Sequence, residues 1–210
     1  MNGLSLQRVN KNEFLCILSS NKCLIFLSFV YLFSIFFGSL IVSNANDTVS
    51  AFVERLFNEY IAKRKDVSFI ILVFNSIVAI LPYMVALFIF GSSIVGPIMS
   101  PIIIFARGLG QGLIMGFLYS EFALKGIAFG ALLIIPPAII TALVFIICAR
   151  ESFSFSLLFI KSISSKAGSV NFSMDFKLYV FRYLFLIVIF IISAILDAIL
   201  STAFLRFFEF

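Results

Sequence analysis

Residues 107–126 read RGLGQGLIMGFLYSEFALKG, an arginine followed by a ladder of glycines in the middle of an apolar run. Residues four apart share one face of a helix, so Gly108, Gly112 and Gly116 form one strip and Gly110 lies on the far side. Small residues at that spacing let a second helix approach to backbone contact, the main packing device in lipid. The strip is expected to seat another span of this chain or a second subunit. It is not a dinucleotide-binding fingerprint, because no strand precedes it and Leu113 stands where the third glycine belongs.

The rest of the chain is as apolar as this stretch. Hydrophobic residues make up 62% of the 210 and charged residues 12%, against about 45–50% and about 25% in soluble domains. A globule of this size cannot hide that much apolar surface from water, so lipid is the solvent for most of it. The net charge of +5 suits basic loops beside anionic headgroups, and no basic face for nucleic acid is offered. Histidine is absent, and Cys16, Cys23 and Cys148 form neither a CxxC pair nor a zinc spacing. With no paired carboxylates and no nucleophile beside a base, the chain is read as a non-enzyme without metal or cofactor.

Five apolar runs reach the roughly 20 residues a membrane helix needs: about 23–42, 67–90, 94–118, 127–148 and 179–204. The expected fold is an all-α membrane bundle of five helices. Spans two and four should be kinked by Pro82 and by Pro136 and Pro137, freeing carbonyls for polar neighbours such as Asn75 or Thr141. Gly91, Gly96, Pro97 and Pro101 leave a second reading open, in which 91–106 is re-entrant and Arg107 ends a shorter third helix. The first run is too long for a secretory signal and is read as a retained anchor.

Between spans one and two, Val49, Phe52, Val53, Leu56, Phe57, Tyr60 and Ile61 recur with helical period opposite Glu54, Arg55, Asn58, Glu59 and Lys63. That pattern predicts an amphipathic helix over about 47–63, capped by Asp47. Its apolar stripe would dock on a partner or on the protein's own helices. The Ser-rich 150–177 segment, with Phe153, Phe155, Leu157 and Ile160, is expected to lie along the headgroups. Arg8, Lys11, Lys22, Arg150, Lys161, Lys166, Lys177 and Arg182 fall on the N-terminal side of the membrane. Arg55, Lys63, Arg64, Lys65, Lys125 and Arg206 fall on the other. The positive-inside rule then favours a cytoplasmic N-terminus, which also places the three thiols on the reducing side.

Arg107 falls halfway along the third span, where a charge costs at least about 2.5 kcal/mol unless it finds a partner. Asp197 is the carboxylate well inside a span, and depth counting puts it within reach of a long arginine. An Arg107–Asp197 pair locking spans three and five is therefore expected.

The run FGSSIVGPIMSPIIIFARGLGQGLIMGFLYSEFALKGIAFGALLIIPPAIITALVFI, residues 90–146, resembles the stage II sporulation protein M family of endospore-forming bacteria. The likeness rests on Gly96–Pro97, Arg107–Gly108, the ladder through Gly112 and Gly116–Phe117, the polar loop of Ser120, Glu121, Lys125 and Gly126, and the mid-span Pro136. Pro137 and Ala138 stand where the family tends to carry amide side chains. The resemblance implies a membrane scaffold of the bacterial cell membrane, around the forespore in a sporulating cell. It would localise two peptidoglycan hydrolases, an amidase/endopeptidase and a lytic transglycosylase, during engulfment. Under it, Phe52, Leu56, Phe57, Tyr60 and Glu121 are the expected partner contacts. The rival reading is a small transporter or permease subunit with Asn75, Arg107, Gln111 and Asp197 lining a path, and a general envelope protein outside sporulation is a third.

Overall fold

The computed structural model describes residues 21–64, 67–164 and 172–204, and among them every regular element is a helix. In chain order these are α1 (Lys22–Ser43), α2 (Asp47–Ala62), α3 (Phe69–Gly91), α4 (Gly96–Phe129), a π-helical turn (Gly130–Ile134), α5 (Ile135–Ser164) and α6 (Phe172–Phe204). Four continuous helical stretches are long and apolar enough to cross a membrane: 22–43, 69–91, 96–160 and 173–204.

The third of these has 65 residues and would measure about 98 Å if straight, roughly three hydrocarbon thicknesses. It folds back on itself at Ala123, whose φ of 45° and ψ of −120° break the helix. Those angles are the first central position of a type II′ turn, where glycine is usual. After the turn, a Cβ on Gly126 would overlap the Leu118 carbonyl oxygen, and one on Gly130 would touch Met115 Sδ at 3.3 Å. The bundle thus has five apolar passes, with α4 and α5 forming a helical hairpin. Phe29, Phe36, Ile70, Phe74, Phe181 and Phe185 are each more than half exposed. An apolar rim of that extent is stable only against lipid, and the protein is an all-α membrane bundle.

The glycine strip seats α1. A Cβ on Gly108 would strike Ser34 Oγ, one on Gly112 would overlap the Ile35 carbonyl oxygen, and one on Gly116 would lie 2.9 Å from Ser39 Cα. With the Tyr31 carbonyl 3.0 Å from a Cβ on Gly108, the backbone met on α1 steps through Tyr31, Ile35 and Ser39, four residues for each four on α4, as parallel first and third passes require. Gly38 supplies the reciprocal gap, 2.6 Å from the Leu109 carbonyl oxygen. Gly110 faces open space.

Two expectations are corrected. Residues 91–106 are not re-entrant: a turn over Ser92–Val95 leads into α4, which runs through Pro101 and Arg107 without a break. Pro97 sits in the first turn, where its missing N–H has no helical partner to lose. The 150–177 segment is not a loop where it is described: α5 continues through it to Ser164 and α6 begins at Phe172; residues 165–171 fall outside the described residues. Within α5, Ser152 returns its hydroxyl to the helix, to the Cys148 carbonyl at 2.9 Å. The helix is also held sideways. Phe155 stacks on Tyr179 with centroids 4.4 Å apart, and Glu151 bonds Arg182 at 2.6 Å. Arg8, Lys11, Cys16, Lys65, Lys166 and Arg206 likewise lie outside the described residues.

Candidate functional site

Four helices turn stripes of helical period toward one cavity of about 250 Å³, i, i+3, i+4, i+7 on three of them and i, i+4, i+7 on α4. α3 gives Ser76, Ala79, Ile80 and Tyr83; α4 gives Arg107, Gln111 and Ile114. Ile134, Pro137, Ala138 and Thr141 come from the π turn and α5, and Phe190, Ser193, Ala194 and Asp197 from α6. Tyr60, from the last turn of α2, and Arg64 just beyond it complete the wall. On α4 the step from Gly108 to Arg107 is about 100°, so one helix presents glycines to α1 and a guanidinium to the cavity.

The partner of Asp197 is Arg64, not Arg107. Arg64 Nη2 donates to Asp197 Oδ2 at 2.6 Å, and Ser76 Oγ donates to the same oxygen at 2.5 Å. Both charged side chains are nearly buried, 14% and 11% exposed. Arg64 also lies over the Tyr60 ring, 3.7 Å from its centroid. Burial pushes the Tyr60 phenol up to about 12, and the Arg64 charge pulls it the other way. The expected Arg107–Asp197 pair is absent from the salt bridges of the described residues. Asp197 lies seven residues before the end of α6, close to the face where the chain leaving α2 brings Arg64 down. Arg107 sits deeper.

Arg107 has the Tyr83 ring 6.0 Å from its guanidinium carbon and no hydrogen bond among the described residues. Its Nε is buried and unpaired, as is that of Arg64. One turn on, Gln111 Oε1 accepts from the Tyr31 hydroxyl at 2.5 Å, which turns the amide NH2 away from that contact. Thr141 and Ser193 both donate to the Pro137 carbonyl, at 2.7 and 3.0 Å. Asn75 does not line the cavity: its Nδ2 donates to the Lys63 carbonyl at 3.1 Å, tying the α2–α3 connection.

The amphipathic helix is docked on its own bundle, and its N-cap is Asn46 instead of Asp47. Val53 and Phe57 are buried, and the Phe57 ring packs 5.5 to 6.2 Å from those of Phe117, Phe122 and Phe129 at the α4–α5 hairpin. Of the expected partner contacts, Phe57 is therefore used internally and Tyr60 belongs to the cavity wall. The apolar stripe met the turn of the hairpin, which had its own aromatic face to cover. Leu56 is half-buried, while Phe52 and Glu121 are exposed.

Sequence reasoning missed Arg64 and the α1 half of the helix seam. The signal for the seam was present in Ser34 and Gly38, four apart. No protein-family model, curated protein or solved structure matches the chain.

Proposed function

We propose that this protein is a non-enzymatic platform in a bacterial membrane, with α2 on the extracytoplasmic side and the N-terminus in the cytoplasm. The reading is carried by the docking of α2. Phe57 and the Arg64–Asp197 tie fix the helix to the bundle at both ends of its last two turns. Phe52, Glu54, Arg55 and Glu59 are left facing away, exposed. A helix held that rigidly loses little entropy when a partner binds its outer face. The resemblance to the stage II sporulation protein M family supplies the partners: peptidoglycan hydrolases, gathered for engulfment in a sporulating cell. Photo-crosslinkers at Phe52 and Arg55 in intact cells should capture a wall hydrolase, and one at the buried Phe57 should not. Hydrolase localisation unchanged in a Phe52→Ala, Arg55→Glu, Glu59→Lys variant contradicts the reading.

A permease subunit is the second reading, favoured by the three charged side chains around one intramembrane cavity. Asn75 has no part in such a path. Under this reading Gln111→Leu abolishes function and the α2 triple variant retains it, the reverse of the platform outcome.

A further inference from the structure

The cavity carries an unbalanced charge. Its ionisable side chains able to hold charge at neutral pH are Arg64, Arg107 and Asp197, two cations against one anion. Asp197 is engaged by Arg64 at 2.6 Å and by Ser76 at 2.5 Å, so Arg107 is the surplus. A guanidinium does not lose its proton in proteins, and at membrane depth an uncompensated charge is costly. The donors left over line the same cavity: the guanidinium of Arg107, with Nε buried and unpaired, and the Gln111 amide, whose oxygen is already taken by Tyr31. One helical turn separates them on the same face of α4.

We propose that this cavity binds a small oxyanion, a carboxylate or a phosphate, on the fork of Arg107 with Gln111 as second donor. The planar fork matches two oxygens of one group, a geometry that a spherical ion does not satisfy. At about 250 Å³ the space is smaller than the roughly 300–1,000 Å³ of drug-sized pockets, which restricts the occupant to a few heavy atoms and some water. One negative charge brings the cavity to neutrality. The oxyanion comes either from solution or from a lipid phosphate reaching in between helices. The inference rests on neither reading of the α2 face: an oxyanion can stabilise a platform or be the cargo of a permease.

The test uses the full chain in dodecyl maltoside, a detergent that carries no phosphate, with and without added phosphatidylglycerol. Thermal unfolding midpoints are compared in acetate, inorganic phosphate and chloride at matched ionic strength. A midpoint raised by acetate or phosphate above chloride without lipid identifies a free oxyanion. A rise that needs phosphatidylglycerol identifies the headgroup. In either case Arg107→Gln should weaken the apparent affinity at least about tenfold, the loss of one charged hydrogen bond, and Arg55→Gln on the exposed side of α2 should leave it intact. Should Arg107→Gln not fold, Arg107→Lys keeps the charge without the fork and should shrink the shift. No dependence on oxyanion or lipid in the wild type, an effect equal to chloride's, or a shift unaltered in both Arg107 variants overturns the proposal.

Discussion

The two ends of the bundle bury polar groups in different ways. At the end away from α2, Ser152 Oγ bonds the Leu87 carbonyl at 2.8 Å and the Tyr183 hydroxyl at 2.5 Å. Tyr183 and Tyr179 donate in turn to the Cys148 and Phe88 carbonyls, both at 3.1 Å. Gly91 and Gly96 admit the α5 serines against α3 and the start of α4, and Ser156 closes on the Ser93 carbonyl. Every hydroxyl in that clamp finds an oxygen of the protein. At the α2 end, three charges surround a cavity and two buried guanidinium nitrogens find nothing. A fully satisfied network specifies packing; a partly satisfied one marks where a structure has left room for something else.

The sharpest way to break this contrast is Asp197→Ala. It leaves Arg64 nearly buried without its counter-charge and should cost about 3 kcal/mol, the range for breaking one partner out of a buried pair, read as a lowered unfolding midpoint in nanodiscs. Gly112→Ala comes next, because its Cβ would overlap the Ile35 backbone carbonyl with no side chain to yield, and overpacking costs about 2 kcal/mol. Gly110→Ala, two residues away and facing open space, should change stability by less than about 0.5 kcal/mol. Equal losses at the two glycines would mean that α1 does not sit on the strip. A loss between those of the two glycines is expected at the clamp: Ser152→Ala removes a hub whose neighbours keep their other bonds and should cost about 1 kcal/mol. A larger loss there than at Asp197 would invert the comparison.

Much of the bundle was legible in sequence because apolar length is a strong signal and Gly108, Gly112 and Gly116 declare a face. The α2 stripe was equally plain, but its target was not: periodicity states that a face is apolar without saying what covers it. Phe57 therefore looked free for a partner when Phe117, Phe122 and Phe129 had claimed it. Arg64 was hidden inside AKRKD, a run that reads as solvated loop charge. Counting residues from span ends placed Arg107 and Asp197 within reach, yet it carried no information that the chain after α2 would descend to the same carboxylate first. The clamp escaped notice because serines in a Ser-rich segment suggest a loop unless their carbonyl acceptors are known.

The central claim is that Asp197 is neutralised by Arg64, which leaves Arg107 without a protein counter-charge. Double-mutant cycles on unfolding in nanodiscs test it directly, pairing Asp197→Leu once with Arg64→Leu and once with Arg107→Leu. The account predicts a coupling for the 64–197 pair at least about 1 kcal/mol larger than for the 107–197 pair, since contacting charges couple and separated ones approach additivity. The stronger coupling at 107–197 would contradict it.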